Sequence, residues 1–358
     1  MAVDRSPSIA DALLARLAGT PDAYPQKIDL VGRTVLLVEF DAGQYRAASF
    51  LDDRVLKPET RGAWLPVGPI IEASRRVTGA RPLHFIFHTG HVGSTLLSRL
   101  LDETGAVLSL REPLPLRTLA EAFDALGRPD SLLSDQEFEE ALAMFVRLWR
   151  RGYDGTHSVV VKATSSAGRL AAPILAASDA SRAVYLNLAA EPYLATLLAG
   201  QNSPIDLRGH GAERFRRLQA RFAATLAPLH GLSIGELAAM SWLAESLTQR
   251  SAIREFAGRV IPLDFDAFLA DVAGGMRRVV AHFGLPANER FLSDVGRNPA
   301  LALYSKAPEF TYTPAVRAEV LADSRRNNRE EIRKGLQWLE RQARLDETVA
   351  EVVNGADG

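Results

Sequence analysis

Cysteine is absent from all 358 residues of the chain. This absence excludes disulfide bonds, a thiol nucleophile and metal sites built from thiolates. A charge excess of either sign is also absent, because 42 basic and 43 acidic residues leave a formal net charge of −1. So balanced a chain argues against a broad nucleic-acid interface. Apolar runs long enough to cross a bilayer are missing. The residues from Met1 to Ser8 also lack the apolar core of a signal peptide. We therefore expect a cytoplasmic protein with no membrane span and no nucleic-acid partner.

Apolar strands and amphipathic helices alternate from Pro82 onward. With 47% hydrophobic residues the chain has enough apolar side chains for a large core. Alternation of this kind predicts an α/β fold in which a parallel sheet carries helices on both faces. The predicted strands are Leu83–His88, Ala106–Leu110, Ser158–Ala163, Ala183–Leu188 and Val260–Phe265. The predicted helices are Thr95–Glu103, Arg117–Leu126, Asp135–Arg150, Gly168–Ala177, Glu191–Ala199, Gly211–Phe256 and Phe268–Phe283.

Residues 1–80 have a different pattern, which predicts a small cap that contains β-strands. An amphipathic stretch near Ser8–Leu17 precedes two predicted short strands, Arg33–Phe40 and Tyr45–Leu56. We expect this cap to be antiparallel and to form a first domain, with residues 81–358 forming the main domain and a C-terminal helical extension.

The pattern of the segment Leu83–Asp102 predicts a strand, a short loop that contains glycine, and a helix. Gly90 and Gly93 permit a tight turn in which successive N–H groups converge on a phosphate at the positive end of the helix dipole. His91 and Val92 lie between these two glycines, and Ser94 and Thr95 add hydroxyl donors at the first helical turn. The pattern predicts a phosphate-binding loop, although an ordinary strand-to-helix turn is the alternative.

The loop lacks the lysine that follows the last glycine in nucleoside-triphosphatase loops of the form G-x-x-x-x-G-K-[ST]. Ser94 stands at that position. The shorter form, in which a basic residue is followed by x-Gly-[Ser/Thr]-Thr, resembles the loop of the sulfotransferase superfamily, with His91 at the basic position and Gly93, Ser94 and Thr95 matching the rest. This resemblance to a P-loop sulfotransferase covers roughly residues 82–345 and implies a loop that holds the donor PAPS without a metal ion.

Two further segments carry the resemblance: the residues after the second strand, and a late strand and helix that end in Phe283-Gly284-Leu285. In the sulfotransferase branches that act on protein tyrosine and on carbohydrate-like acceptors, a glutamate after the second strand is the catalytic base. The resemblance places Glu112 at that position, where a carboxylate could deprotonate an attacking hydroxyl. Arg111 beside it suggests a cation for the sulfonate or an ion-pair partner for Glu112, and a solvated surface pair is the alternative. Relatives carry Lys-x-[Ser/Pro] after the third strand, so Lys162 and Ser165 are candidates for contact with donor or acceptor.

The fourth strand departs from the pattern of the resembled family. The arginine and serine that bind the 3′-phosphate of PAPS there correspond to Ala190 and Leu198. Relatives also close the donor site with a basic C-terminal loop, which makes Lys306 a candidate. Replacement cations for the 3′-phosphate could come from the following arginines: Arg169, Arg182, Arg208 and those between Arg325 and Arg329.

The resemblance implies an enzyme that transfers a sulfuryl group from PAPS to a hydroxyl or amine. Its acceptor would be a small molecule, a carbohydrate or a peptide. In this hypothesis Glu112 is the base, the loop from Gly90 to Thr95 holds the donor, and Lys162 and His91 assist the transfer. A phosphoryl transferase that uses a nucleoside triphosphate is one alternative, and a non-catalytic protein that binds a nucleotide or a partner is another.

Overall fold

The computed structural model describes residues 7–222, 226–286 and 288–355. The strands are β1 (Ala23–Asp29), β2 (Thr34–Glu39), β3 (Gly62–Pro66), β4 (Leu83–His88), β5 (Val107–Arg111), β6 (Ser158–Lys162), β7 (Ala183–Asn187) and β8 (Val260–Asp264). The first eight helices are α1 (Ile9–Arg16), α2 (Ala42–Ala47), α3 (Val67–Arg75), α4 (Ser94–Asp102), α5 (Leu114–Phe123), α6 (Asp135–Trp149), α7 (Ala171–Ala176) and α8 (Ala190–Ala199). The others are α9 (Ser203–Arg221), α10 (Ile234–Glu255), α11 (Phe265–Ala270), α12 (Val272–Phe283), α13 (Glu289–Asp294), α14 (Pro314–Asn327), α15 (Arg329–Ala343) and α16 (Glu347–Val353). Short 3₁₀ helices cover Asp53–Val55, Ser165–Leu170, Leu229–Gly231, Val295–Arg297 and Pro299–Ala302.

Five strands form a parallel sheet in the order β5-β6-β4-β7-β8, flanked by helices. Every residue of β4 and β6 is buried, as expected for strands of a parallel sheet that is covered on both faces. In the register, Leu83 pairs with Val159 and Val107 with Ser158. The predicted α/β fold and the five predicted core strands are therefore confirmed, with ends that shift by at most one residue.

The N-terminal strands form a separate antiparallel sheet in the order β1-β2-β3. Its presence confirms the predicted β-containing segment, but the predicted strand Tyr45–Leu56 is wrong. That stretch contains the end of α2 and a 3₁₀ helix. Asp41 caps α2 in a reciprocal capping box with Gln44, and this local bonding outweighs the strand preference of the apolar residues that follow.

The chain divides into two compact units, and each unit is made of three separate segments of the sequence. Unit 1 holds the described residues of Met1–Phe87, Thr95–Ala183 and Met276–Ser293. Unit 2 holds the described residues of His88–Ser94, Val184–Gly275 and Asp294–Gly358. The domain boundary near residue 80 stays a prediction.

A helical layer within unit 2 packs around α10, which contacts α8, α9, α15 and α16. The backbones of α10 and α15 approach closely where Gly235 and Gly335 meet, because a Cβ on either glycine would collide with the opposite helix. The long predicted helix Gly211–Phe256 is in fact α9 and α10, and Ser233 starts α10 with a capping box to Glu236.

Candidate phosphate-binding loop and carboxylate–lysine pair

The loop His88–Ser94 leads from the end of β4 to the start of α4 and belongs to unit 2. Three of its residues have left-handed backbone: Gly90 with φ of 105°, His91 with φ of 55° and Gly93 with φ of 71°. Left-handed residues within a turn direct N–H groups into a concave surface that favours anions. The nine-residue helix α4 that follows adds the positive end of its dipole. The left-handed residues and the helix that follows them agree with the predicted phosphate-binding loop, and phosphate binding itself stays a prediction.

Gly93 is required for a second reason besides its φ. A Cβ at this position would overlap the ring of Phe265, the first residue of α11 after β8. The sequence pattern predicts Phe265 as a strand end with no functional role. The signal that identifies it is its place directly after a parallel strand, where ligand-binding residues of α/β folds concentrate.

The loop is anchored within unit 2 by buried hydrogen bonds. The Tyr193 hydroxyl on α8 donates to the carbonyl of Thr89 at 3.3 Å and lies 3.2 Å from the Ser241 hydroxyl on α10. The N–H of Gly90 donates to the His88 ring nitrogen Nδ1 at 3.1 Å. Gly90 therefore shapes the turn, while its own N–H group is already used inside the loop.

Three residues at the loop end are buried: Val92, Ser94 and Thr95 are 0%, 4% and 1% exposed. The Thr95 hydroxyl Oγ1 is buried and has no hydrogen-bond partner. Buried polar atoms are nearly always paired in folded proteins. An unpaired hydroxyl in the first turn of α4 fits a donor for a phosphate or sulfonate oxygen, and His91, in contrast, is exposed at the loop surface.

Glu112 and Lys162 form a pair in unit 1. Glu112 follows β5 and its N–H donates to the carbonyl of Lys162, the last residue of β6, at 2.6 Å. The Lys162 side chain is 0% exposed and its ammonium forms an ion pair with Glu112 Oε1, whose side chain is 10% exposed. Because neighbouring parallel strands end at the same edge of a sheet, the sequence brings these two predicted site residues together.

The backbone of Glu112 is left-handed, with φ of 52°. Among the described residues, only three other than glycine have this conformation: Arg33, His91 and Glu112. Arg33 lies in the tight turn between β1 and β2, where such residues are common. Left-handed backbone costs about 1–2 kcal/mol for residues with a Cβ, and such strain concentrates at functional sites. Two of the three strained residues are thus the predicted base and the predicted basic residue of the loop.

Arg111 has a different role from either one suggested by the sequence. It is 1% exposed and forms an ion pair with Asp102, not with Glu112. Its Nη1 donates to the Ala48 carbonyl at 2.8 Å, and its Nε donates to the Ser98 hydroxyl at 3.0 Å. Burial lowers the pKa of the Arg111 guanidinium to about 9. Its bonds tie α2 and α4 to β5, so Arg111 organises unit 1.

Ser165 and Lys306 lie in different units. Ser165 is half-buried in unit 1, at the start of the 3₁₀ helix that follows β6. Lys306 lies in unit 2, in a tight loop closed by a bridge between Leu303 and Thr311. Of the predicted site residues, unit 1 holds Thr95, Glu112, Lys162 and Ser165, and unit 2 holds Gly90, His91, Val92, Gly93, Ser94 and Lys306.

The fourth-strand region lacks the cation of the resembled pattern, because Ala190 lies at the position of its arginine. Ala190 is the half-buried first residue of α8. The neighbouring Glu191 is held by Arg325 of α14 through two hydrogen bonds of 2.8 Å each. Among the other arginines suggested as replacements, Arg169 pairs with Asp124 and Arg182 donates to the carbonyl of His282.

The described ranges contain no group of three or more His, Asp or Glu side chains able to hold a metal ion. Within the same ranges, no helix combines the length and apolarity needed to cross a membrane.

No family model and no curated protein matches the chain. Among solved structures it is similar to a sulfotransferase domain from the curacin biosynthetic pathway, with 13% identity and a TM-score of 0.41 over 70% of this chain and 92% of that one. It is also similar to sulfotransferase STF9 from Mycobacterium avium, with 13% identity and a TM-score of 0.38 over 91% of this chain and 98% of that one. A third is retinol dehydratase in complex with retinol and PAP, with 12% identity and a TM-score of 0.32 over 92% and 96% of the two chains. The chain resembles sulfotransferases of known structure, but similarity at this level carries no argument about activity.

Proposed function

We propose that the protein transfers a sulfuryl group from PAPS to a hydroxyl or amine. The loop His88–Ser94 binds the phosphosulfate end of the donor, and Glu112 is the general base. The acceptor is a small molecule, a carbohydrate or a peptide, and the transfer uses no metal ion.

The observation that carries the proposal is the strained backbone at His91 and Glu112. Both residues hold a left-handed conformation that glycine adopts without cost. Each instead keeps an ionisable side chain at the position that the sulfotransferase resemblance predicts. Strain maintained at two independently chosen positions supports a role in chemistry.

In the proposed reaction the acceptor oxygen or nitrogen attacks sulfur while the bond from sulfur to the phosphate oxygen of PAPS breaks. The bonding electrons pass to that phosphate, which leaves as adenosine 3′,5′-bisphosphate (PAP). The acceptor proton goes to the Glu112 carboxylate, a step that contributes about 10²–10⁴-fold in enzymes of this kind. Lys162 fixes one oxygen of that carboxylate through their ion pair, which orients the base.

The loop stabilises charge on the departing phosphate and on the sulfonate oxygens. Its N–H groups, the dipole of α4 and the Thr95 hydroxyl are the donors in this proposal. His91 adds an exposed imidazole to the same loop.

A thermal-shift panel of PAP, AMP and ATP with magnesium tests the donor. Because AMP lacks the 3′-phosphate, a PAPS enzyme is expected to be stabilised most by PAP. The transfer itself is tested by incubating the protein with radiolabelled PAPS and a panel of phenols, alcohols, sugars and amines. Equal stabilisation by PAP and AMP, or a preference for ATP with magnesium, would contradict the PAPS assignment.

A further inference from the structure

Arg317 in unit 2 lies in the first turn of α14, where Thr313 is the N-cap and Pro314 begins the helix. The N-terminal end of a helix is its positive pole, so a cation at this position is disfavoured by the dipole. Helix stability therefore does not explain an arginine at residue 317.

The Arg317 side chain is largely enclosed, being 16% exposed. Its Nη2 lies 2.7 Å from Asp266 Oδ1, but the geometry of the approach does not make a hydrogen bond, and Nη2 is buried without any hydrogen-bond partner. Arginine carries donors arranged for a planar pair of acceptor oxygens. The ion pair with Asp266 thus leaves a buried donor unsatisfied.

Phe265 connects this arginine to the phosphate-binding loop. The Arg317 guanidinium carbon lies 5.2 Å from the centre of the Phe265 ring, and the same ring fills the space next to Gly93. A single aromatic ring therefore separates Arg317 from the glycine at which the loop turns into α4. All three residues belong to unit 2.

The loop itself has Ser94 where phosphate-binding loops of nucleoside triphosphatases have lysine. An anion at this loop therefore receives donors from the backbone and from hydroxyl groups, but no cation from the position after Gly93. The enclosed Arg317 is a positive charge that packs against Phe265, the same ring that lies next to Gly93 of the loop.

We propose that Arg317 is the cation that binds the phosphate or sulfonate group held at the His88–Ser94 loop, with Asp266 as its partner when no anion is bound. The identity of the ligand as PAPS or PAP rests on the proposed function. The role of Arg317 as the cation does not rest on the proposed function, because inorganic pyrophosphate also presents phosphate oxygens to the loop.

Two substitutions give opposite results if the proposal is correct. Arg317→Met is expected to weaken binding of PAP and of inorganic pyrophosphate by about tenfold or more, because one charge-assisted contact is lost. Asp266→Asn is expected to strengthen binding of both probes, because it removes a carboxylate that competes for the same guanidinium. Arg317→Lys keeps the charge without the planar donors and is expected to bind with intermediate affinity.

Arg341→Met is the matched control. Arg341 forms an ion pair with Glu236 at 2.7 Å elsewhere in unit 2, so its loss is expected to leave the affinity for both probes unchanged. Isothermal titration of PAP, AMP and pyrophosphate at low and high salt measures the effects, and the salt dependence is expected to decrease in Arg317→Met.

A purely structural ion pair predicts a different result. In that case Arg317→Met and Asp266→Asn would lower thermal stability similarly and would not shift affinity in opposite directions, which would overturn the proposal. Unchanged PAP binding by Arg317→Met would overturn the inference and leave the proposed function intact. A third outcome is that pyrophosphate binding depends on Arg317 while the protein binds PAP no better than AMP. This outcome would support the inference and contradict PAPS as the donor. If Arg317→Met does not fold, the Lys and Asp266→Asn variants still decide the question.

Discussion

Replacing Glu112 with glutamine separates the proposed catalytic role of its carboxylate from the structural role of its ion pair. The substitution keeps the size and one acceptor oxygen of the side chain but removes the base. Turnover is expected to fall by about 10²–10⁴-fold, whereas affinity for PAP is expected to stay within about twofold, because the proposed function assigns donor binding to the loop.

The same substitution has a structural cost that follows from the burial of Lys162. Its side chain is 0% exposed, and Glu112 supplies the ion pair. Removing one partner of a buried pair typically costs about 3–5 kcal/mol, since the other charge is left uncompensated. Because glutamine retains an oxygen that can accept a hydrogen bond, we expect a loss of free energy of unfolding near 3 kcal/mol, at the lower end of that range.

The double variant Glu112→Gln with Lys162→Met removes the uncompensated charge. Replacing both members of a buried ion pair is often neutral for stability, so the double variant is expected to recover most of the free energy of unfolding and none of the turnover. Glu140→Gln is the control, because Glu140 forms an exposed pair with Arg75 and should change stability by less than about 1 kcal/mol.

Equilibrium unfolding in urea, titration with PAP and sulfuryl transfer from labelled PAPS measure the three quantities. Glu112→Gln with turnover near that of the native protein would refute the assignment of the base. Recovery of turnover in the double variant would show that the pair acts only in folding.

Three further predictions concern the loop and the core. Gly93→Ala is expected to weaken PAP binding by more than about tenfold in calorimetry, because its Cβ meets the Phe265 ring and its φ is left-handed; affinity like that of the native protein would show that the loop is only a turn. Burial lowers the pKa of His84 from 6.5 to about 4, so the unfolded chain binds more protons than the folded one between these pH values. Stability is therefore lost as pH falls through that window, by up to about 3 kcal/mol, and His84→Asn should flatten this part of the denaturation profile; the same pH slope in both proteins would contradict the assignment. Arg111→Met leaves Asp102 buried without its partner and is expected to lower the free energy of unfolding by about 3–5 kcal/mol, while turnover per folded molecule is retained; loss of turnover at native stability would place Arg111 in the chemistry.

The sheet was predictable because parallel core strands have a strong local signature. Leu83–His88 is apolar apart from its histidines and is bounded by Pro82 and a glycine loop, and β4 begins and ends at those residues. The residues after β5 and β6 could be selected for the same reason, since chain order alone identifies which residues follow a strand.

The contacts around the candidate site were not predictable, because they join residues far apart in the sequence. Arg325 meets Glu191 and Phe265 meets Gly93. Nothing local to Arg111 indicates that Asp102, and not the adjacent Glu112, is its partner. The wrong strand at Tyr45–Leu56 has a local cause, since the capping box at Asp41 starts a helix that apolar patterning does not reveal.

The backbone at Glu112 shows why this position is better explained by chemistry than by folding. The residue precedes Pro113, and a residue before proline favours extended conformations, yet its φ is 52°. Two contacts hold this conformation in place: the N–H donates to the Lys162 carbonyl and the carboxylate pairs with the Lys162 ammonium. Glycine at position 112 would keep the first contact, relieve the strain and allow Lys162 to be replaced by an apolar residue. Stability alone therefore favours glycine with an apolar partner, and the proposed role of Glu112 as general base is a reason for the chain to keep a strained carboxylate there, paired with a buried lysine.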